Sequence, residues 1–372
     1  MHTDVVDLAR ALVSIDSVNP ALVPGAAGET QIVEWCATWL TDRGFEVDRV
    51  EPTPGRPSLI ATVRGTGGGR SLLLNAHLDT VAASASLLDA RVVDGRLTGR
   101  GSYDTKGGAA ALMVAAARIM DARLAGDVIL TLVADEEFGS LGTEQVLERV
   151  TADGAIVAEP SELEITLAHR GFAWFRLDIA GMAAHGSMPE QGVDAIAHAS
   201  RVMVALERLQ NALDAREHHP LLTSGTVRVA TIEGGKDAAT VAPACTLTIE
   251  RRFLPGETPD DVESELRSVI DSVPGPATTT LTRLVARGAF ESPVSSPLVA
   301  AVRAASIDVL GSVAVRGEPF WTDAGLFAEA GIPCVVIGVA GGGAHADEEY
   351  ATVESIERLA DIVERVARDF CG

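Results

Sequence analysis

The stretch SLLLNAHLD, residues 71–79, decides the fold class of this chain. Its apolar run Leu72–Ala76 is short and continuous, as is typical of a strand buried on both faces of a sheet. His77 and Asp79 follow at the carboxyl end of that strand, where open α/β sheets place ligand-binding side chains. Taken alone, a His-x-Asp pair is more often a structural histidine at a strand end, so its meaning depends on its surroundings.

The rest of the first part of the chain repeats this alternation of strands and helices. Further strand-like runs lie at Ser58–Arg64 and Asp127–Ala134, and helical apolar spacing marks Gly28–Arg43 and Lys106–Met120. Continuous apolar strands that alternate with helices predict an α/β domain whose mixed sheet is largely parallel and covered on both faces.

The pattern changes at Phe172. The order becomes β-α-β-β-α-β, which is that of a ferredoxin-like motif. Its elements are the strand Phe172–Ala180, the helix Val193–Leu213, the strands Thr226–Ile232 and Thr240–Phe253, the helix Thr258–Val273 and the strand Ala277–Val285. The α/β pattern resumes after Ser292. We therefore expect a two-domain α/β protein: a catalytic domain from residues 1–171 and 291–372, and an inserted α+β domain from residues 172–290.

Length and charge limit the classes of function. At 372 residues the chain exceeds what one core usually organises, and 47% hydrophobic residues are ample for a globular enzyme. The formal net charge of −22, from 52 acidic and 30 basic residues, predicts a surface that repels polyanions. Nucleic acids and anionic membranes are therefore not expected partners.

The lack of a signal-peptide pattern and the scattered cysteines predict a reducing compartment. Met1–Asp4 shows no basic segment followed by an apolar core, and Gly107–Met120 is shorter than the ~20 residues of a membrane helix. We expect a soluble, cytoplasmic protein. The cysteines form no C-x-x-C pair, which predicts neither a disulfide framework nor a thiolate zinc site; they are Cys36, Cys245, Cys334 and Cys371.

Carboxylates gather near other strand ends. Asp104 lies within the glycine-rich stretch Gly99–Gly108, just before a helix of small residues, where it could approach a metal closely and bridge two ions, or simply cap the helix. Asp135, Glu136 and Glu137 follow the next buried strand. Such a run is often a solvated acidic face. Adjacent side chains diverge, however, so one glutamate could bind metal while its neighbour faces the substrate water.

Two further segments complete a possible ligand set. Glu159 follows the strand Gly154–Ala158, and His345 lies in Ala344–Glu349 after a glycine-rich turn. Two histidines with several carboxylates and no cysteine are the nitrogen and oxygen donors that suit zinc, manganese or cobalt.

These segments, in this order, resemble the M20 metallohydrolases, the family of acetylornithine deacetylase, succinyl-diaminopimelate desuccinylase, aminoacylase and glutamate carboxypeptidase. The resemblance runs from about Leu8 to the C-terminus. It implies two divalent metal ions, one held by His77, Asp104 and Glu159 and the other by Asp104, Glu137 and His345. It further implies that Glu136 is the general base, that Asp79 orients His77, and that the Asp104–Thr105 peptide bond is cis.

The inserted domain carries part of the same resemblance. It implies that this domain forms a homodimer and that His185, in Gly181–Pro189, reaches the partner's active site to stabilise the oxyanion. It implies that Arg252 binds the substrate carboxylate through two hydrogen bonds. Without the resemblance, these residues would be interpreted as a structural histidine and a solvated strand edge. By the same resemblance, Thr240 occupies a substrate-binding position that is usually asparagine in the family. Glu348 stands where asparagine or aspartate is common in the family.

The expected function is therefore hydrolysis of the amide bond of a small N-acyl amino acid, with zinc as the expected metal and cobalt or manganese as alternatives. A metallopeptidase that splits dipeptides or short peptides, or removes a C-terminal residue, is the second candidate. A catalytically silent binding protein on the same scaffold is the candidate from another class, although every ligand and base position holds a competent residue type. Nucleotide binding is a weaker candidate, because Gly65–Arg70 departs from the dinucleotide-binding pattern G-x-G-x-x-G at its last position. His218 and His219 have no place in the metal set and are interpreted as exposed loop residues.

Overall fold

The computed structural model describes residues 4–216 and 219–372, which form two compact units. The first unit comprises the chain up to Leu167 together with Ser292–Arg316 and Thr322–Gly372; the second comprises Ala168–Glu291 and Gly317–Trp321. The main segment of the second unit begins four residues before, and ends one residue after, the insertion expected at 172–290. Gly317–Trp321, which the sequence pattern left in the larger domain, joins the second unit because Trp321 packs edge-on against the Phe172 ring.

The chain up to His169 alternates helices and strands. In order these are α1 (Val5–Val13), α2 (Thr30–Thr41), β1 (Glu46–Val50), β2 (Ser58–Val63), β3 (Leu72–His77), a 3-10 turn (Ala85–Leu88), β4 (Arg91–Val93), β5 (Arg96–Thr98), α3 (Lys106–Arg118), β6 (Val128–Val133), α4 (Leu141–Leu147), β7 (Gly154–Val157) and β8 (Ile165–His169). Helix α3 is built mainly of alanine and glycine and is buried along most of its length, because small side chains allow it to approach its neighbours closely.

The second unit is an antiparallel sheet covered by two helices. Its elements are β9 (Gly171–Ala180), a 3-10 turn (Pro189–Gln191), α5 (Ala195–Asp214), β10 (Thr226–Gly234), β11 (Ala244–Phe253), α6 (Pro259–Asp271), β12 (Thr278–Arg287) and β13 (Phe290–Glu291). The four long strands pair in the order β10-β11-β9-β12, so the β-α-β-β-α-β prediction is confirmed. Alternate strand residues such as Leu177 and Leu247 pack with Leu206 of α5 and Leu266 of α6 in one core.

The last part of the chain returns to helices and short strands. These are α7 (Pro297–Leu310), β14 (Val315–Glu318), α8 (Ala324–Glu329), β15 (Cys334–Val336), β16 (Gly341–Gly342), β17 (Tyr350–Thr352) and α9 (Val353–Cys371). Of the described helices, none is both long and apolar enough to cross a membrane.

The large sheet of the first unit has the order β1-β2-β6-β3-β7-β15-β8 and is mixed, as predicted. Strand β3 lies between β6 and β7 and is parallel to both. Strand β15 extends the parallel part beside β7, whereas β1, β2 and β8 pair antiparallel at the two sides. Because parallel neighbours end at the same edge, the residues that follow β6, β3 and β7 are brought together.

Candidate metal centre

The candidate ligands of the first unit meet at the carboxyl edge of its large sheet. They reach it from β3, from the segments after β6 and β7, from the turn before α3 and from the loop between β16 and β17; in that order they are His77, Glu136 and Glu137, Glu159, Asp104, and His345. The structure thus brings together six side chains that lie up to 268 residues apart in the sequence, as the numbers of His77 and His345 show.

The two ring nitrogens of His77 have different surroundings. Nδ1 donates to the backbone carbonyl oxygen of Asp79 at 3.0 Å, whereas the nearest carboxylate oxygen of Asp79 is 3.6 Å away. The orienting contact is therefore made mainly by the Asp79 backbone rather than by its side chain. A neutral imidazole that donates from Nδ1 has its lone pair on Nε2. That atom faces Asp104 Oδ1 at 3.0 Å and Glu159 Oε1 at 3.6 Å.

Asp104 lies between the two histidines. Its Oδ1 is 3.0 Å from His77 Nε2, and its Oδ2 is 3.5 Å from His345 Nε2. His345 Nε2 is also 3.0 Å from Glu137 Oε2. The Asp104–Thr105 peptide bond is cis, as the resemblance implied. One carboxylate therefore offers a separate oxygen to each histidine.

The cluster holds more negative charge than its own side chains neutralise. Burial and the neighbouring Glu159 raise the pKa of Glu136 well above its usual range, and burial raises the pKa of Glu159 similarly. Burial also raises the pKa of Glu137. The Asp104 and Glu137 carboxylates, which accept hydrogen bonds from the His345 ring, raise the pKa of His345 to about 10. Burial and mutual repulsion thus oppose ionisation of the three glutamate carboxylates, and a divalent cation would favour their charged forms.

Two ligand groupings can be drawn from the distances. One potential ligand atom each from His77, Glu136 and Glu159 lies within 4.8 Å of the others, and the same holds for His77, Asp104 and Glu137. The donor set fits divalent metal ions, since it consists of imidazole nitrogens and carboxylate oxygens. Distance alone places Glu136 as close to a possible metal as Glu159, so its separate role needs a chemical test.

Asp79 has a second contact set that the sequence did not reveal. Its Oδ1 accepts the backbone N–H of Glu136 at 3.0 Å, and its Oδ2 accepts that of Glu137 at 3.2 Å. A single carboxylate therefore fixes the backbone of both adjacent glutamates. The sequence hinted at these contacts only through the position of Asp79, which directly follows a predicted strand.

Glu349 is a further residue that sequence reasoning missed. It is buried, pairs with Arg100 Nη1 at 2.7 Å, and accepts three backbone N–H groups at 3.0–3.1 Å, from Gly101, Tyr103 and Asp104. Because it follows His345 by four residues, Glu349 ties the His345 loop to the Asp104 turn. Its partners lie 245 to 249 residues away in the sequence, so no local spacing points to it.

Asp323 adds another buried carboxylate beside this edge. Its Oδ2 accepts from Thr143 Oγ1 at 2.6 Å and from Asn75 Nδ2 at 3.2 Å. Burial raises the pKa of Asp323, and its charge contributes to the raised pKa values of Glu136 and Glu159. The sequence offered no signal for it, since it lies outside every strand end.

The other predicted site residues lie in the second unit. His185 and Thr240 pair across an isolated antiparallel bridge beyond the Ala180 end of β9. The exposed His185 ring holds Ser187, whose Oγ lies 2.7 Å from Nδ1. Arg252 lies near the opposite end of β11, where its Nη2 donates to Glu250 Oε1 at 3.0 Å.

Three of the other histidines are His169, His218 and His219. His169 is fully buried and packs against Phe290, with ring centroids 5.2 Å apart. His219 is half-buried with Nε2 3.0 Å from Glu291, so the prediction of an exposed loop residue is wrong for it. His218 lies outside the described residues.

Comparison with known proteins decides the family. The model of Peptidase family M20/M25/M40 matches residues 73–369. The chain belongs to this family. The acetylornithine deacetylase of Myxococcus xanthus is 30% identical over 92% of both chains. An N-formyl-4-amino-5-aminomethyl-2-methylpyrimidine deformylase of Bacillus subtilis (strain 168) is 28% identical over 97% of this chain and 93% of its own.

A solved structure agrees with the fold. The Bacillus subtilis YXEP protein, a dinuclear metal binding peptidase from the M20 family, superposes with a TM-score of 0.76 at 16% identity, covering 99% of this chain and 97% of its own. Deacetylases, deformylases and peptidases all cleave amide bonds. The M20 chain described here is accordingly a hydrolase that acts on amide bonds.

Proposed function

We propose that this M20 hydrolase binds two divalent metal ions, zinc first and cobalt or manganese as alternatives, and removes the acyl group from an N-acyl amino acid. One ion would be held by His77, Asp104 and Glu159, and the other by Asp104, Glu137 and His345. The observation that carries the proposal is the position of Asp104, whose two oxygens face the two histidines separately.

The chemistry of the donor set supports this assignment. When bound, such ions act as Lewis acids on a carbonyl and lower the pKa of water towards 7. The chain itself orients the proposed ligands. The contact of His77 Nδ1 with the Asp79 carbonyl sets the tautomer of His77, and the Asp79 carboxylate holds the backbone of Glu136 and Glu137.

Glu136 is proposed as the general base. Its pKa is raised by burial and by the charge of Glu159, which suits a carboxylate that must accept a proton near neutral pH. In this role it takes the proton of the attacking water and later gives it to the leaving amine. Glu137, by contrast, lies at hydrogen-bond distance from His345 and is proposed as a ligand.

Removal of an acyl group is favoured because relatives that match nearly the whole chain are deacylases by name, and an amino acid substrate is favoured by the acetylornithine deacetylase among them. Arg252 is proposed to bind the substrate carboxylate. Its guanidinium is held by Glu250 and lies over the Phe172 ring at 5.2 Å, so its direction is set before a substrate arrives. The second candidate, a metallopeptidase for dipeptides or C-terminal residues, is favoured by the peptidase with the same fold.

A homodimer is proposed from the geometry of the second unit together with the roles that the family resemblance implies for His185 and Arg252. His185 and Thr240 lie beyond one end of β11, and Arg252 lies near its other end. Between Ala244 and Arg252 the strand spans roughly 25 Å at about 3.3 Å per residue. That is more than a small N-acyl amino acid can bridge. If both His185 and Arg252 serve one substrate, they must come from different subunits. The cytoplasmic location stays a prediction of the sequence.

The substrate class is tested by presenting the metal-loaded protein with N-acetyl and N-formyl amino acids and with dipeptides, and measuring the free amine released. Glu136→Gln protein, prepared identically, controls for contaminating hydrolases. Release from acylated amino acids in preference to dipeptides is expected. The reverse preference would identify the peptidase. A protein that binds two metal ions yet cleaves none of these amides would instead be the silent binding protein.

A further inference from the structure

A buried network lies behind the turn that carries Glu136 and Glu137. It consists of Asn19, Glu29, Arg56, Asp79 and Asp135, all at most 9% exposed. None of them is one of the six candidate metal ligands, and the sequence marked only Asp79 and Asp135 among them. They come from the ends of separate elements, so the fold gathers them at one place behind the sheet edge.

Arg56 is the one cation of this group. Its Nε and Nη2 donate to the two carboxylate oxygens of Glu29 at 2.8 and 2.7 Å. Nη2 also donates to Asp135 Oδ1 at 2.7 Å and to Asn19 Oδ1 at 3.2 Å. The planar guanidinium can serve several acceptors in fixed directions, which a lysine ammonium cannot do.

Asp135 forms the turn. Its backbone has φ +73°, in the left-handed region that aspartate tolerates better than most residues. Its carbonyl oxygen accepts the N–H groups of Gly139 at 2.9 Å and Ser140 at 2.5 Å. Arg56 on its carboxylate fixes the side chain of the same residue. The turn is thus clamped from both the backbone and the side chain.

The turn sets the directions of the two glutamates. Asn19 Nδ2 donates to Asp79 Oδ2 at 2.8 Å and to Asp135 Oδ1 at 3.1 Å, so it joins the clamp to the carboxylate that receives both glutamate N–H groups. From this backbone, Glu136 extends to within 4.0 Å of His77 Nε2. Glu137 extends to His345 Nε2 at 3.0 Å.

We infer that Arg56 is a positioning residue that holds the Asp135 turn and thereby separates the two adjacent glutamates, one aimed at His77 and the other at His345. It acts through Asp135 and Asn19 and contacts no reacting atom. The inference rests on the proposed metal site, and only its turnover readout rests also on the proposed amide hydrolysis, so the hydrolysis can fail while the metal readouts still test Arg56.

The decisive variant is Arg56→Lys, which keeps the buried positive charge but removes the planar guanidinium that donates to several acceptors in fixed directions. Arg56→Ala leaves buried carboxylates without a cation and can fail to fold, so it is not relied upon. Arg251→Lys is the matched control. Arg251 is also buried and pairs with Glu257 and Glu265 at 3.1 Å each, but it lies in the second unit.

The full-length, metal-free variants are titrated with Co²⁺, and affinity and visible absorption are recorded. For Arg56→Lys we expect about 10–100-fold weaker binding of one Co²⁺ and an altered absorption spectrum, since loss of a group that orients ligands has that size of effect. In hydrolysis assays, kcat should fall by a similar factor while KM stays within about twofold. Arg251→Lys should lower the thermal unfolding midpoint and leave both Co²⁺ readouts unchanged.

A double-mutant cycle tests whether Arg56 works through the turn. Asp135→Asn keeps a residue that tolerates the left-handed backbone but removes the charge that Arg56 binds. The pair Arg56→Lys with Asp135→Asn should weaken Co²⁺ binding no more than the stronger single change, because both break one contact. Independent, multiplying effects would overturn the inference.

Other outcomes are equally decisive. Unchanged Co²⁺ affinity and spectrum in Arg56→Lys, alongside a lowered unfolding midpoint, would reduce Arg56 to a structural ion pair. A parent protein that binds Co²⁺ but hydrolyses no amide would remove the proposed function and leave the metal readouts to judge Arg56. A parent that binds no Co²⁺ would overturn both proposals.

Discussion

The sheet edge of the first unit and the sheet of the second unit bury charge in opposite ways. In the second unit, Arg251 is fully buried between Glu257 and Glu265, and Glu250 is buried between Arg252 and Arg228 at 3.0 and 2.7 Å. Both of these buried residues meet side chains of opposite sign. In the first unit, four carboxylates share the sheet edge with only two histidines; they are Asp104, Glu136, Glu137 and Glu159.

This difference separates structural charge from functional charge. Taking a charge out of water costs several kcal/mol unless it is paired, so a folded chain either neutralises a buried charge or reserves it for a ligand. The second unit does the former. The excess of carboxylates in the first unit is explained by a cation that the chain does not itself provide, and four predictions test that contrast.

Removal of metal has the largest expected effect. Dialysis against a chelator should reduce hydrolysis to background, and added Zn²⁺ or Co²⁺ should restore it, because the water needs the ions to become a nucleophile near pH 7. The measurement is turnover against elemental analysis. Full activity with less than one ion per chain would contradict a two-metal mechanism and leave the excess charge unexplained.

Replacing the proposed base comes next. Glu136→Gln should lower kcat by about 10²–10⁴, the usual contribution of a general base, while both ions remain bound. Glu137→Gln, the same change one residue along, should instead weaken the binding of one ion. Metal analysis of the two purified proteins distinguishes the roles, and a reversed pattern would exchange them.

His185 tests whether the second unit also takes part in chemistry. Its replacement by alanine should lower turnover by roughly 10²–10³ without loss of metal, as expected on removing one oxyanion donor. Heterodimers of a Glu136→Gln chain with a His185→Ala chain contain one site with both residues, so they should regain about half of the normal activity. Metal-loaded heterodimers that remain inactive would place His185 in its own subunit's site or outside catalysis.

The smallest effect is expected for Glu349→Gln. The amide loses one acceptor oxygen and the pair with Arg100, so the Asp104 turn should be held less firmly and metal affinity should fall about tenfold. Glu348→Gln, the same change at an exposed neighbour, should stay within about twofold of the parent. Equal affinities for the two variants would show that Glu349 matters only for folding.

The sequence revealed those features that repeat locally. The apolar strand before His77 and Asp79 and the carboxylates after β6 and β7 could be found because each lies at the end of a periodic run. The elements of the second unit followed from alternation of strand and helix patterns, and their order is confirmed. Family resemblance joined these segments into one ligand set, which spacing alone left open.

Contacts between distant segments had no such signal. The pairs Arg56–Asp135 and Arg100–Glu349 are separated by 79 and 249 residues, and each member resembles any other surface charge in the sequence. The Asp79 carboxylate was expected beside His77, whose Nδ1 lies 3.6 Å from it, and it also receives the Glu136 N–H, which the sequence did not reveal. Which atom of a residue makes a contact depends on the folded backbone.

The length of strand β11 has a consequence for how the protein is handled. Because His185 lies beyond one end of the strand and Arg252 near the other, a site that uses both is complete only while two chains are associated. Specific activity should then vary with protein concentration, falling on dilution below the dissociation constant of the dimer and recovering on reconcentration. Dilution would then inactivate a metal-loaded enzyme without breaking any covalent bond.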